Sequence, residues 1–251
     1  MEKLFFGGDI LTMNQADFSK STRNLAVYVK DGIIIAIDDR DKIHSRISGY
    51  CELINLHKCI LMPSFIMTRG SYLKYAYSLF EDEEISLDKL IKKTDKMYLQ
   101  SGITTVMEEE FGTDNEEIYR KIFSSDLLQT DIIAYADAKN VKGYELRHRK
   151  CKLVFEKPKT SSAYECNGER INMLDRIYAD VILHNISVYE ALKNVTINAA
   201  TMCKDDRLKG SIEVGKIADM IILDNNPMNA NLEDLRDIRV ITTIKDGRFI
   251  E

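Results

Sequence analysis

Hydrophobic positions at both ends of the chain form short runs that predict β-strands. Residues 25–29 and 33–37 flank Asp31-Gly32, and residues 240–244 and 248–250 flank Asp246-Gly247. An Asp-Gly pair between β-branched runs is a strong hairpin signal, because both turn residues must accept a positive φ. Two hairpins of one kind at opposite ends predict that the termini meet in one small β-sandwich.

The middle of the chain alternates helical and strand patterns. Ser86 can cap a helix, Gly102 can end it in the left-handed conformation, and Asn115 can cap a second helix. The strand-like apolar runs are residues 103–107, 132–136 and 152–155. This alternation predicts βα units with a parallel sheet, and therefore an α/β chain.

The region after residue 156 changes from polar to helical. Residues 157–170 are rich in polar residues and are predicted to form a loop. Ser187 and Glu190 then form a capping box, and the apolar face that follows predicts one helix as far as Ala199.

Composition and charge exclude several classes of protein. Hydrophobic residues make up 45% and charged residues 30% of the chain, and the net charge is −5. A mildly acidic chain without a basic stripe is a poor binder of nucleic acid. No apolar run approaches the roughly 18 residues of a membrane span, and the first residues do not resemble a signal peptide. Five scattered cysteines favour reduced thiols, so a cytoplasmic protein is predicted.

Two motifs lie near the ends of the chain. Residues 61–66 read Leu-Met-Pro-Ser-Phe-Ile, and residues 209–219 read Lys-Gly-Ser-Ile-Glu-Val-Gly-Lys-Ile-Ala-Asp. They resemble the two ends of an enzyme of the amidohydrolase superfamily, especially its long, N-acyl-amino-acid-deacylase-like branch. Residues 102–106 resemble the second barrel strand of that family, and residues 187–200 resemble its last helical segment. The resemblance implies a metal-dependent hydrolase of C–N bonds, built from a TIM barrel and a discontinuous β-sandwich.

The metal motif of the family is where this chain departs from the resemblance. The first motif should lead into a His-x-His pair that holds the catalytic metal, and these positions carry Arg69 and Ser71. Catalytic zinc needs about three protein ligands, and arginine cannot deprotonate to become one. We therefore expect no bound metal. Arg69 and Ser71 are either an anion-binding remnant or, as we favour, surface residues that changed after the loss of catalysis.

The length of the barrel region is a second departure. Between Pro63 and His184 there is room for about four βα units of roughly 30 residues, whereas a closed eight-stranded barrel takes about 250 residues in all. We predict a composite β-sandwich from residues 1–62 and 208–251 around a truncated TIM-barrel-like βα region, residues 63–207. The later strands would be deleted between roughly residues 157 and 170.

Two further residues are candidates for a remnant site. Glu109 lies in a run of three glutamates, residues 108–110, after a predicted strand; carboxylates there could bind a divalent cation. A solvated acidic loop is the interpretation we favour. Lys152 loosely matches a metal-binding lysine of some relatives, although a lysine at the start of a strand is ordinary.

Histidine and cysteine spacings offer little more. His148 and Cys151 lie three apart but lack partners at ligand spacing. His57 and Cys59 are expected to alternate on a strand before Pro63, which favours packing over metal binding.

Three functions remain open at this point. The favoured one is a catalytically degenerate amidohydrolase, a pseudoenzyme without a cofactor. The second is an active hydrolase with a rebuilt or dimer-completed site, in which Glu109, His148 or Lys152 would help to hold a divalent metal such as zinc. The third is a non-enzymatic interaction module whose open barrel edge pairs with a partner or, as a homodimer, with a second copy. No nucleic-acid or membrane partner is expected.

Overall fold

The computed structural model describes residues 1–14, 24–73, 76, 85–109, 111, 116–135, 151–154 and 171–250. Arg69, Glu116, Leu153 and Val154 are described through their backbones alone. The chain divides into two compact units. We call Met1–Phe65 together with Asn172–Glu251 the terminal unit, and Ile66–Ile171 the central unit.

The strands and helices follow one another along the chain. The strands are β1 (Glu2–Phe6), β2 (Asp9–Ile10), β3 (Leu25–Lys30), β4 (Ile33–Asp39), β5 (Glu52–Asn55), β6 (Ile60–Pro63), β7 (Phe65–Gly70), β8 (Ile103–Glu108), β9 (Asp131–Tyr135), β10 (Cys151–Val154), β11 (Met220–Leu223), β12 (Val240–Lys245) and β13 (Arg248–Phe249). The helices are α1 (Arg40–His44), α2 (Leu87–Gln100), α3 (Glu116–Phe123), α4 (Met173–His184), α5 (Val188–Asn194) and α6 (Ile197–Met202), with a 3₁₀ helix at Glu233–Asp237.

The terminal unit holds two sheets, in the strand orders β4-β3-β1-β5 and β13-β12-β11-β6-β2. Both predicted hairpins are confirmed: Asp31 and Gly32 have φ of 51° and 84°, and Asp246 and Gly247 have φ of 51° and 73°. In the second sheet β11 pairs antiparallel with both β6 and β12. Strands from the two ends of the chain therefore share one sheet.

One apolar core joins the two sheets of the terminal unit. Its buried members include Phe5 of β1 and Val27 of β3 from the first sheet, and Leu61 of β6 and Met220 of β11 from the second. Burial of side chains from both sheets in one cluster is the main favourable term for such a unit. This arrangement fits a small sandwich drawn from both ends of the chain.

The central unit is built around a four-stranded sheet in the order β10-β9-β8-β7. β8 and β9 are parallel, and so are β9 and β10. Ser86 caps α2 by accepting the N–H of Lys89, and Gly102 follows that helix with φ of 79°. In the described ranges the sheet is open rather than closed into a barrel. The predicted α/β class, with a truncated barrel-like region, is confirmed.

The helices after residue 171 differ from the prediction. The capping box of Ser187 and Glu190 is present, but the single helix predicted from it is two, α5 and α6. The break falls at Thr196, whose hydroxyl donates to the carbonyl of Leu192 at 2.7 Å. A side chain that bonds the preceding turn competes with the helical ladder. The pattern also missed α4, which is capped by Asn172.

One further prediction is wrong, and others concern residues outside the described ranges. The expected strand at His57 is wrong, because His57 and Lys58 form a turn with φ of 48° and 71°. Asn115 and the predicted loop at 157–170 lie outside the described residues. The boundaries 1–62, 63–207 and 208–251 stay predictions. No helix in the ranges given above is both long and apolar enough to cross a bilayer.

Candidate functional site

The candidate site lies at the carboxyl ends of β7 and β8 in the central unit. Ser71 follows β7 directly, and Glu108 is the last residue of β8. Both are buried, with 8% and 0% of their surface exposed, so the expectation of a surface residue is wrong for Ser71. The two segments are neighbours, since the backbone N–H of Glu109 donates to the carbonyl of Gly70 at 3.2 Å. A metal site of the family would be built at this edge of the sheet.

The carboxylate of Glu108 is held by donors from two other segments. Its Oε2 accepts the backbone N–H of Tyr72 at 2.6 Å. The same oxygen accepts the hydroxyl of Tyr119, which lies on α3. A fully buried carboxylate is costly unless such donors surround it. The favoured interpretation of residues 108–110 as a solvated acidic loop is therefore wrong for Glu108.

The hydroxyl of Tyr119 links Ser71 to Glu108. Burial is the largest cause, and the negative charge of Glu108 the next, that raises the pKa of Tyr119 far above its ordinary value. Hydrogen bonds that the Ser71 hydroxyl and the Leu73 N–H donate to the phenol oxygen act in the opposite direction. Tyr119 is thus a neutral phenol that donates to Glu108 and accepts from Ser71.

A second buried carboxylate lies on the other side of Tyr72. The hydroxyl of Tyr72 donates to Oδ1 of Asp95 at 2.9 Å, and the N–H of Gln129 donates to Oδ2 at 2.5 Å. Burial raises the pKa of Asp95, although these hydrogen bonds and one from Thr130 oppose the rise. The pKa of Tyr72 is also raised by burial and by the neighbouring Asp95. Tyr72 therefore contacts both buried carboxylates, through its backbone and through its side chain.

The motif at 209–219 forms a separate polar cluster in the terminal unit. Oδ2 of Asp219 lies 2.8 Å from Nζ of Lys245 and 3.6 Å from Nζ of Lys209, and all three side chains are buried. Oδ1 of Asp219 accepts the N–H of Asp246 at 2.8 Å. The carbonyl of Asp219 accepts the N–H of Ser64. The cluster therefore ties the motif to the last hairpin and to the segment before β7.

Comparisons with known proteins relate one part of the chain to a family and its fold to several solved structures. A model of the amidohydrolase family matches residues 166–250, which include this motif. An adenosine deaminase from Xanthomonas campestris with bound zinc has a similar structure, with a TM-score of 0.65 and 12% identity over 98% of this chain and 92% of that one. Guanine deaminase from E. coli has a TM-score of 0.65 and 13% identity over 100% and 99%. The C-terminal third of the chain, residues 166–250, therefore matches the amidohydrolase family. At such low identity the solved structures establish the fold alone.

Two curated proteins match this chain over short stretches. Imidazolonepropionase of Picrophilus torridus is 53% identical over 53 residues, which are 21% of this chain and 14% of the relative. N-substituted formamide deformylase of Arthrobacter pascens is 37% identical over 62 residues, 25% of this chain and 11% of the relative. The chain thus matches only a small part of the length of either relative.

The structure brings some of the predicted site residues together and leaves others apart. Ser71 and Glu109 lie at the neighbouring ends of β7 and β8, and Glu109 is half-buried. Arg69 lies in β7, and its side chain is outside the described part of the chain. Lys152 lies on β10, with β9 between it and β8.

The register separates Lys152 from Glu108 further. Lys152 pairs with Ile133, and Ile133 pairs with Met107. Side chains in one register row of a sheet share a face, and the next row points to the opposite face. Lys152 therefore projects on the face of Met107, away from that of Glu108.

The residues present do not fit the catalytic zinc of the superfamily. One ligand position carries an arginine, which has no lone pair to give. The other carries Ser71, whose hydroxyl is directed to Tyr119. Among the described residues no three histidine, cysteine, aspartate or glutamate side chains are grouped as a metal would require.

Sequence reasoning missed three of the polar residues that matter most, namely Tyr72, Asp95 and Tyr119. Asp95 had a signal, because it occupies the buried face of α2 between Ile91 and Tyr98. A charged residue at a core position of an amphipathic helix requires a partner. Tyr119 gave no such signal, since tyrosine is common on a buried helix face.

Proposed function

We propose that this amidohydrolase-superfamily chain is catalytically degenerate and does not hydrolyse C–N bonds with metal-activated water. The observation that carries the proposal is the state of Ser71. It occupies the second ligand position of the family motif, is buried, and directs its hydroxyl to Tyr119. A neutral hydroxyl engaged in this way is a weak substitute for the imidazole that zinc prefers.

The directions of the other polar side chains support the same proposal. Glu108 directs its carboxylate to Tyr119 of α3, and Lys152 lies on the opposite face of the sheet. A metal ligand set requires side chains that converge on one point within about 2.0–2.3 Å of the ion. Ser71 and Glu108 meet at the Tyr119 hydroxyl instead, and Lys152 lies on the other face of the sheet.

The proposal is tested by metal content and by turnover on one preparation of the full chain. The protein is dialysed against zinc, desalted and analysed by inductively coupled plasma mass spectrometry. We expect zinc far below one ion per chain. Turnover is measured on N-acyl amino acids and on the substrates that the relatives' names suggest, an N-substituted formamide, adenosine and guanine. We expect rates equal to those without protein.

Variants separate this proposal from a rebuilt active site. If Glu109, His148 or Lys152 held a metal, their joint replacement by alanine would lower both zinc content and turnover. The Ser71→Ala variant is the matched control, because Ser71 is expected to hold no metal. The proposal would be rejected if the parent protein held one zinc per chain and the triple variant lost this zinc while the control kept it.

A further inference from the structure

We infer that a buried hydrogen-bond chain holds the carboxyl ends of β7 and β8 together, so that this part of the central unit keeps its shape without a metal. This hydrogen-bonded network is called the tyrosine–carboxylate lock. It consists of Ser71, Tyr72, Asp95, Glu108 and Tyr119. The inference concerns how the fold is held. It does not depend on whether the protein has hydrolytic activity.

Glu108 is the centre of the lock, because one of its oxygens serves two segments. Oε2 accepts the backbone N–H of Tyr72, which fixes the main chain just after β7. The same oxygen accepts the hydroxyl of Tyr119, which fixes α3 against the end of β8. Ser71 adds a further hydrogen bond to that phenol. Three segments are therefore joined at one buried atom.

Tyr72 extends the lock to a fourth segment. Its hydroxyl reaches Asp95 on α2, and its ring stacks on Tyr98 with 5.7 Å between ring centroids. Asp95 in turn accepts the N–H of Gln129, which precedes β9. The backbone N–H and the side-chain hydroxyl of Tyr72 are thus both bonded to buried carboxylates, which fixes this residue at the end of β7.

Burial is what makes these bonds matter. Glu108 has 0%, Tyr72 0%, Tyr119 0% and Asp95 3% of its surface exposed. Water cannot readily replace a donor that is lost there, so the remaining carboxylate bears the full penalty of being unsatisfied. In metal enzymes a bound ion ties several side chains together at such a point; here hydrogen bonds do so.

The lock is tested by native-state hydrogen exchange of the Tyr72 amide in the full chain, with the Tyr119→Phe variant. Removing the phenol oxygen leaves Glu108 with one donor fewer, and loss of a hydrogen bond to a buried charge corresponds to about 10- to 100-fold faster exchange. Tyr50→Phe is the control, because Tyr50 is 88% exposed and should leave the amide unchanged. Unchanged exchange in Tyr119→Phe would overturn the lock.

Two replacements of Glu108 keep the test decisive if Tyr119→Phe does not fold. In Glu108→Gln the carbonyl oxygen can still accept both donors at the Oε2 position, whereas Glu108→Leu can accept neither. We expect less than about threefold faster Tyr72 exchange in the glutamine variant, and a larger increase, or failure to fold, in the leucine variant. Equal effects would mean that Glu108 only fills space. A chelator should change nothing, and faster exchange on chelation alone would also contradict the lock.

Discussion

The terminal and central units bury charged groups in different ways. In the terminal unit Asp219 lies between two buried lysines, Lys209 and Lys245, so opposite charges face one another. In the central unit Glu108 is held by a phenol and a backbone N–H. The first arrangement includes residues of the motif at 209–219, which lies in the region matched by the amidohydrolase family model. The second lies at the carboxyl ends of β7 and β8.

The difference shows that the two units hold their buried carboxylates by different interactions. The terminal cluster joins the motif to the last hairpin through ion pairs. In the central unit, hydrogen bonds to Glu108 and Asp95 join the segments around the sheet. We therefore expect disruption of the terminal cluster to cost more stability than the loss of a single hydrogen bond in the central unit.

The largest effect should follow from Asp219→Asn. The change keeps the shape of the side chain but leaves Lys209 and Lys245 buried without this counter-charge. Breaking a buried ion pair in this way costs about 3–5 kcal/mol. The loss of stability would be measured by urea denaturation, with unfolding monitored by circular dichroism.

The matched control for Asp219 is Asp224→Asn. Asp224 pairs with Arg239, whose side chain is 80% exposed, at 3.0 Å. Solvent-exposed pairs contribute about 0–1 kcal/mol. A loss at Asp219 no larger than that at Asp224 would mean that the buried ion pairs of Asp219 contribute no more stability than an exposed pair.

A somewhat smaller effect is expected within the motif itself, where two glycines differ. Gly210 has φ of +90°, and a Cβ there would lie 2.6 Å from Cβ of Ala200 and 3.0 Å from the carbonyl oxygen of Thr196. Gly210→Ala should cost about 2–4 kcal/mol, from backbone strain and overpacking together.

Gly215 provides the comparison for Gly210. It has φ of +92°, but a Cβ there would meet nothing within 4 Å. Gly215→Ala should therefore cost about 1–2 kcal/mol, from backbone strain alone. The measurement is again the urea midpoint, and equal losses would show that packing against Ala200 is unimportant.

The smallest effect concerns pH and the central unit. Burial raises the pKa of Asp95, so the folded chain binds this proton more tightly than the unfolded chain. The parent protein should therefore lose stability as pH rises from the ordinary aspartate pKa to the raised one. The Asp95→Asn variant has no carboxyl group at this position, so its stability does not change with pH for this reason. The free energy of unfolding of the variant minus that of the parent should increase as pH rises through this window.

The check on Asp95 is a series of urea titrations of both proteins between about pH 4 and pH 7. A constant difference between the two across this range would mean that Asp95 titrates as an ordinary aspartate. Any fixed offset from the changed hydrogen bond with Gln129 does not affect the slope.

The parts of the fold that could be predicted are those with a local cause. Asp31-Gly32 and Asp246-Gly247 form hairpins because their own backbone preferences require a turn. Ser86 and Ser187 cap helices through bonds within three residues. Such signals lie inside a short window of sequence.

The parts that could not be predicted depend on partners far apart in the chain. Burial of Glu108 is made possible by Tyr72 and Tyr119, 36 and 11 residues away. No pattern within the glutamate run carries this information. The break at Thr196 was also missed, because whether its hydroxyl bonds the preceding turn is not visible in the apolar spacing of the helix.

The position of β11 between β6 and β12 has a consequence for synthesis of the chain. β6 ends at Pro63, whereas its neighbour begins at Met220. At about 5–20 residues per second, a ribosome needs roughly ten to thirty seconds to make the intervening segment. During this time the nascent chain exposes one edge of β6 and the apolar side chains that β11 will cover, so newly made protein should depend on chaperones until the last strands emerge.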